Sequence, residues 1–173
     1  EETDKILAIT VTARLSATYD VALQAIQLMK KKCRVEVIDS QWATMAQGFI
    51  AIKAVRAAQA GASLDEVTEV ARKNISRVDF LAAFDTLEYL RRGGRIGKAQ
   101  AFLGSMLKVN PLISLKDGVV EPVGRARSRA KAIERLYNFA TSYPYIEEIA
   151  VENAACPEDA EMLVERLSSK SPR

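Results

Sequence analysis

A short apolar run lies near the start of the chain, Ile6-Leu7-Ala8-Ile9-Thr10-Val11. A run of this length, bounded by polar residues, predicts a buried β-strand. Outward from it, apolar residues recur at helical spacing between Val21 and Met29, and Val35-Glu36-Val37-Ile38-Asp39 predicts a second strand. A strand, a helix and a strand within this distance indicate a βαβ unit, so we expect the two strands to lie parallel.

Two further helices are predicted after the second strand. One runs from about Trp42 to Ala60 and stops at Gly61, which is a common signal for the C-terminal end of a helix. The next opens with Ser63-Leu64-Asp65-Glu66, the pattern of a capping box. With the βαβ unit, these helices predict a partial parallel-sheet, Rossmann-like α/β domain over residues 1–78.

The second half of the chain predicts a mixed α/β domain over residues 79–173. Strands are expected at residues 79–87 and 148–151, and a helix is expected around residues 98–107. Apolar alternation on both sides of Asp117-Gly118 predicts a β-hairpin, because Asp-Gly favours a two-residue turn. The fold class is therefore α/β, with a parallel sheet in the first part and a β-hairpin in the second.

The composition excludes several classes of function. Of the 173 residues, 49% are apolar and 27% are charged, which is typical of globular rather than disordered proteins. No apolar run reaches the roughly 18–20 residues of a membrane span, so we expect no stable membrane insertion. Histidine is absent, which removes Ser-His-Asp and Cys-His mechanisms and the commonest metal ligand. We expect no catalytic residue, no metal site and no cofactor.

The loop between the first strand and the first helix is a candidate anion site. Ligands of open α/β sheets bind at the carboxyl ends of the strands, and a helix N-terminus offers unpaired N–H groups with a partial positive charge. We therefore expect Ser16, the N–H of Ala17 and Thr18 to hold a small anion such as a carboxylate or a phosphate. The alternative is that Ser16 only caps the helix.

Positive charge is concentrated in residues 89–133, which hold ten basic and two acidic residues. This segment, the basic face, suggests an anionic ligand or partner. Within it, Arg125 and Arg127 are two apart, so they share one side of a strand, and arginine suits oxyanion recognition. Two alternatives stay open: a protein-interaction module that docks an acidic protein, and a nucleic-acid-binding domain, although aromatic residues for base stacking are scarce here.

Five stretches follow one another in a recognisable order and spacing through nearly all of residues 5–170. They are Leu15-Ser16-Ala17-Thr18-Tyr19, Val37-Ile38-Asp39-Ser40, Asp85-Thr86-Leu87-Glu88-Tyr89-Leu90-Arg91-Arg92-Gly93-Gly94-Arg95-Ile96-Gly97-Lys98-Ala99, Leu115-Lys116-Asp117-Gly118, and Val123-Gly124-Arg125-Ala126-Arg127-Ser128-Arg129-Ala130-Lys131-Ala132-Ile133. Together they resemble the DegV family of bacterial fatty-acid-binding proteins, the binding subunits of fatty acid kinase.

The resemblance implies a two-domain α/β protein that binds one long-chain fatty acid. We expect no nucleic acid among its partners. It implies that a separate, ATP-dependent fatty acid kinase phosphorylates the presented carboxylate, and that the acyl phosphate feeds phospholipid synthesis in the cytoplasm. Ser16 would contact the carboxylate, with support from the N–H of Ala17 or from Thr18. Arg125 and Arg127 would lie near the kinase-docking surface.

An apolar slot for the acyl chain also follows from the resemblance. The candidates for its lining, each of which could instead be ordinary core, are Ala82, Ala83, Phe84, Phe102, Leu103, Met106 and Ile113. The chain departs from the family pattern at Ala17, where the family usually has glycine. It also lacks an upstream Thr-Ser-Gln-Pro motif and a final His-Thr-Gly-Pro-Gly motif. We therefore expect a fragment or a shortened member of the family.

Overall fold

The computed structural model of the chain describes residues 4–30, 33–103 and 109–169. By its internal contacts the chain divides into two compact units. The first unit comprises Glu1–Phe80 and Leu115–Val119, and the second unit comprises Leu81–Ser114 and Val120–Arg173. The assignment of residues 1–78 and 79–173 to two family-like domains stays a prediction.

The first unit contains a parallel pair of strands, β1 (Lys5–Thr10) and β2 (Arg34–Asp39). They keep one register throughout, from Lys5 opposite Arg34 to Thr10 opposite Asp39. Helix α1 (Thr18–Leu28) connects them, because parallel strands need a crossover and cannot be joined by a tight turn. The predicted βαβ arrangement is confirmed.

Helices α2 (Thr44–Gln59) and α3 (Leu64–Ile75) supply the core of the first unit. Each helix contributes apolar residues four positions apart, which places them on one face. These helix residues form a buried cluster with one residue of β2. Its members are Ile38, Ile50, Ala54, Val67 and Ala71. Among the residues that the structure describes, no helix has both the length and the apolar character needed to cross a bilayer.

Helix α2 begins two residues later than its pattern predicts, because Trp42 is held in the turn before it. The backbone N–H of Trp42 donates to Ser40 Oγ at 3.1 Å. Its indole N–H donates to the carbonyl oxygen of Ile75 at 2.8 Å. Helix α2 ends at Gln59, one residue before the predicted Ala60, and Gly61 adopts a φ of 90°. That left-handed conformation favours glycine.

The second unit is built on a sheet with strand order β3 (Ala82–Ala83), β4 (Asn110–Lys116) and β5 (Val119–Ala126). Asp117 and Gly118 join β4 to β5 with φ values of 51° and 79°. Two positive φ values in succession are typical of a type I′ turn, so the predicted hairpin is confirmed. The tip of this hairpin, Leu115–Val119, belongs to the first unit.

Helices complete the second unit: α4 (Glu88–Arg92), a 3₁₀ helix (Gly97–Phe102), α5 (Arg129–Thr141) and α6 (Pro157–Ser168). Helix α5 packs on the sheet through a buried cluster of Leu112, Ala126 and Ala132. It packs on α6 through a second cluster of Ile133, Tyr137 and Leu163. The two faces of α5 therefore join the sheet to the last helix.

Three of the expected elements differ from the structure. The strand expected at 79–87 is reduced to β3, because the chain turns after Phe84 and the Thr86 hydroxyl caps the amide of Glu88 at 3.1 Å. The helix expected at 98–107 is the 3₁₀ helix, and residues 104–108 lie outside the described residues. Residues 148–151 form no strand, because no described strand pairs with them.

The capping box of α3 gives a direct test of the fold. Ser63 Oγ accepts from the Glu66 N–H at 3.4 Å, and Glu66 Oε2 accepts from the Ser63 N–H at 2.7 Å. We expect Ser63→Ala to lower the free energy of unfolding by about 1 kcal/mol, measured by urea denaturation. Ser76→Ala, an exposed position at the other end of α3, is the control. Equal losses in both variants would contradict a role for the box.

Candidate functional site

The segment between β1 and α1, residues 11–17, is called the Ser16 loop here, and it leaves the carboxyl end of β1 as predicted. Thr12 lies fully buried at its base. The Thr12 N–H donates to the carbonyl oxygen of Trp42 at 2.8 Å. The Thr12 hydroxyl donates to the carbonyl oxygen of Gly118 at 3.1 Å. The loop is therefore fixed by backbone carbonyls from two other segments of the first unit.

The structure brings Ser16 and Thr18 together at the amino end of α1. Their hydroxyl oxygens are 2.7 Å apart, and the Thr18 N–H donates to Ser16 Oγ at 3.3 Å. One hydroxyl proton joins the two oxygens, which leaves the other proton for a ligand. Asp20 occupies the first turn of the same helix. A bound carboxylate would share the positive end of the helix dipole with that side chain.

Ala17 is the residue immediately before α1 and is exposed. Its φ of −73° and ψ of 3° lie in a region open to every L-residue. The backbone at this position therefore requires no glycine, so alanine adds its methyl group there without backbone strain.

Sequence reasoning missed the buried hydroxyl groups that hold the two strand ends together. Thr10 Oγ1 donates to the carbonyl oxygen of Ile38 at 3.3 Å. Ser40 Oγ donates to the carbonyl oxygen of Trp42 at 3.2 Å, and the Ser40 N–H donates to the carbonyl oxygen of Thr10 at 3.1 Å. Both residues are buried. The available signal was a hydroxyl residue at the end of each apolar strand, Thr10 as the last residue of β1 and Ser40 directly after β2, because buried polar groups need hydrogen-bond partners.

In the second unit, Arg125 lies against Phe102. The guanidinium carbon is 4.3 Å from the centre of the aromatic ring, a cation–π contact. Both residues line a pocket of about 150 Å³, together with Asp85, Thr86, Leu87, Glu88, Leu103, Val109 and Pro111. Because sites that enclose a whole ligand of ordinary size begin at roughly 300 Å³, this pocket can hold a ligand fragment.

The other slot candidates occupy the sheet of the second unit. Ala82 on β3 pairs with Ile113 on β4, and Ala83 pairs with Leu112. Ile113 is buried, whereas Ala82, Ala83 and Phe84 are half-buried. Phe102 and Leu103 share the pocket with Arg125, and Met106 lies outside the described residues. Their role as an acyl lining stays a prediction.

The basic face is less positive than its charge count indicates. Glu88 pairs with Arg91 and Arg92 at 2.7 and 2.8 Å. Lys98 pairs with Glu121 at 2.9 Å, and Arg129 contacts both Asp85 and Asp159. Three of these acids lie outside residues 89–133, so a count within the segment misses them. In the part of the chain that the structure describes, the side chains of the face without an ion pair include Lys116, Arg127 and Lys131.

The family described as "Uncharacterised protein, DegV family" matches residues 1–173. A DegV domain-containing protein of Streptomyces coelicolor is 39% identical over 171 residues, which cover 98% of this chain and 60% of the relative. The chain thus spans about 60% of the length of that curated relative.

Solved structures share the fold. A DegV family protein from Thermus thermophilus, described by its fatty acid binding, is 37% identical, with a TM-score of 0.73 over 82% of this chain and 50% of that chain. The fatty acid kinase (Fak) B3 protein of Streptococcus pneumoniae, loaded with linoleic acid, is 20% identical. It has a TM-score of 0.82 over 98% of this chain and 62% of that chain. At that identity it shows the fold alone.

The ion pairs around the pocket give a test by titration. Hydrogen bonds from Arg91, which has the larger effect, and from Arg92 lower the pKa of Glu88 to about 2. The stability that these bonds contribute is therefore present above pH 4.5, the ordinary pKa, and is lost as the pH falls through about 2. We expect ¹³C NMR of the Glu88 carboxyl to show this low midpoint, and Arg91→Gln to raise it.

Lys131→Gln is the matched control for that titration, because Lys131 has no ion pair in the described parts of the chain. It should leave the Glu88 midpoint unchanged. An ordinary midpoint near 4.5 in the unmodified chain would contradict the arrangement of Glu88, Arg91 and Arg92.

Proposed function

Because the chain belongs to the DegV family, we propose that it binds one long-chain fatty acid and holds its carboxylate at the Ser16 loop. The observation that carries the proposal is the likeness to the fatty-acid-binding protein of Thermus thermophilus, which is 37% identical. The Ser16 loop adds the chemistry: two adjacent hydroxyl groups at the amino end of a helix of 11 residues.

Proton placement favours a carboxylate at Ser16. Thr18 Oγ1 can donate to Ser16 Oγ across their 2.7 Å separation. The Ser16 proton is then free to donate to a carboxylate oxygen, while the N–H of Ala17 and the helix dipole add partial positive charge. A hydrogen bond to a charged group contributes about 1.5–3 kcal/mol. The carboxylate contacts therefore orient the ligand and distinguish it from uncharged lipids.

The acyl chain would supply most of the affinity, because each buried CH₂ contributes roughly 0.8 kcal/mol. The proposed lining consists of Ala82, Ala83, Phe84, Phe102, Leu103, Met106 and Ile113. Phe102 and Leu103 line a pocket with Arg125, and this pocket supports the proposal that part of the acyl chain binds there. Leu103 is 41% exposed, so a ligand would bury apolar surface that water now contacts.

We further propose that the bound carboxylate is presented to a separate, ATP-dependent fatty acid kinase, so that this chain is itself non-catalytic. The acyl phosphate would feed phospholipid synthesis in the cytoplasm. Arg127 is exposed just after β5, and no ion pair neutralises it in the described residues. A free guanidinium of this kind suits a kinase-facing surface, because arginine binds phosphate oxygens in a bidentate manner.

Binding and recognition can be separated with two ligands, palmitic acid and hexadecan-1-ol. We expect the delipidated chain to prefer the acid in a fluorescence or calorimetric titration. Ser16→Ala should weaken palmitic acid binding by about tenfold to a hundredfold, the range for a hydrogen bond to a charged group. Alcohol binding should change little, because the alcohol carries no charge.

Ser76→Ala, an exposed hydroxyl position in the same unit, is the control and should bind both ligands like the unmodified chain. An equal loss for acid and alcohol in Ser16→Ala would remove Ser16 from the carboxylate site. A chain that binds neither ligand would overturn the proposed function.

The kinase proposal has its own readout. With the kinase subunit and ATP present, Arg127→Ala should slow acyl phosphate formation about tenfold, the loss expected for one charge-assisted hydrogen bond. The dissociation constant of the Arg127→Ala variant for palmitic acid should equal that of the unmodified chain. Lys131→Ala is the control for the loss of one positive charge from the same face. Equal rates for Arg127→Ala and the unmodified chain would remove Arg127 from the kinase-facing surface.

A further inference from the structure

We infer that the hairpin turn Asp117–Gly118 positions the Ser16 loop for its ligand, and that the Thr12 hydroxyl transmits this effect. The inference rests on the proposed function, because it concerns the same carboxylate site. It makes Thr12 and Gly118 positioning residues that need not touch the ligand. The two residues are 106 positions apart in the chain and meet within the first unit.

The Thr12 hydroxyl has a defined hydrogen-bond direction. Its single proton goes to the carbonyl oxygen of Gly118, 3.1 Å away. Its oxygen then accepts the N–H of Arg14 at 3.2 Å. Thr12 is fully buried, so water cannot replace either partner. The position of the turn is therefore transmitted to the loop backbone two residues before Ser16.

The Thr12 carbonyl oxygen completes the connection to Ser16. It accepts the N–H of Leu15 at 3.0 Å and the N–H of Ser16 at 3.2 Å. The peptide groups on both sides of Thr12 therefore form hydrogen bonds, because the Thr12 N–H also donates to the carbonyl oxygen of Trp42. A shift of Thr12 would move Ser16 and its hydroxyl proton with it.

Gly118 has to be glycine for two separate reasons. Its φ of 79° is a left-handed conformation that L-residues rarely adopt. A Cβ added there would also lie 2.2 Å from Thr12 Oγ1 and 3.1 Å from Arg14 Cγ. Gly61, in the same unit, has a φ of 90° but nothing within 4 Å of an added Cβ. Gly61→Ala therefore reproduces the backbone strain of Gly118→Ala without its steric contact.

The first arm of the test measures ligand recognition. Thr12→Val keeps the shape of the side chain and removes the hydroxyl, whereas Thr12→Ser keeps the hydroxyl. We expect Thr12→Val to reduce the preference for palmitic acid over hexadecan-1-ol about tenfold, the loss for one misplaced hydrogen bond to a charged group. Thr12→Ser should retain the preference. A merely structural defect would weaken the binding of both ligands equally, and that result would overturn the inference.

The second arm needs no ligand and uses amide hydrogen exchange. Gly118→Ala should accelerate exchange of the Arg14 and Ser16 amides at least tenfold relative to Gly61→Ala, because only the first substitution displaces Thr12. Equal exchange in the two variants would overturn the inference even where palmitic acid binds. Accelerated exchange in a chain that binds no palmitic acid would overturn the proposed function and, with it, the role of the turn in recognition.

Discussion

The hydrogen bond from Thr12 Oγ1 to the carbonyl oxygen of Gly118 is the interaction on which the candidate site depends. It joins the loop after β1 to the tip of a hairpin whose strands otherwise form the sheet of the second unit. Breaking it would leave the buried carbonyl oxygen of Gly118 and the buried hydroxyl proton of Thr12 without partners, and each unsatisfied group costs about 1–3 kcal/mol. Because of this cost, the conformation of the loop depends on the folded hairpin tip as well as on the loop itself. The position of the Ser16 hydroxyl depends on the tip in the same way.

The same constraint explains the residue types around the site. Thr12 is buried and uses its N–H, carbonyl and hydroxyl groups at once, a demand that an apolar residue cannot meet. Gly118 leaves room for that hydroxyl because it has no side chain. The hydroxyl groups of Ser16 and Thr18, by contrast, bond to each other, and Ser16 Oγ also accepts from the adjacent Thr18 N–H. Buried groups thus hold the loop in place, and one of the two hydroxyl protons of Ser16 and Thr18 remains available to a ligand.

Local signals in the sequence were sufficient for much of this fold. The apolar run at residues 6–11, the capping box at Ser63 and the Asp117-Gly118 turn each describe a few neighbouring residues, so each could be predicted. The contact between Thr12 and Gly118 could not, because no pattern links positions 106 residues apart. The ion pairs of Arg129 with Asp85 and Asp159 were missed for the same reason. Ser16 was predicted from its place at a helix start and from the family resemblance, and its role stays a proposal. The residues that hold its loop, in contrast, could be recognised only in the tertiary structure.

Binding of a long-chain fatty acid by this chain can be measured directly. The most direct measurement is extraction of the purified chain with organic solvent, followed by mass spectrometry against a blank. We expect a long-chain fatty acid in near-stoichiometric amount, or its uptake to that amount when palmitic acid is added. A chain that carries no fatty acid above the blank, both as purified and after incubation with palmitic acid, would rule out fatty acid binding.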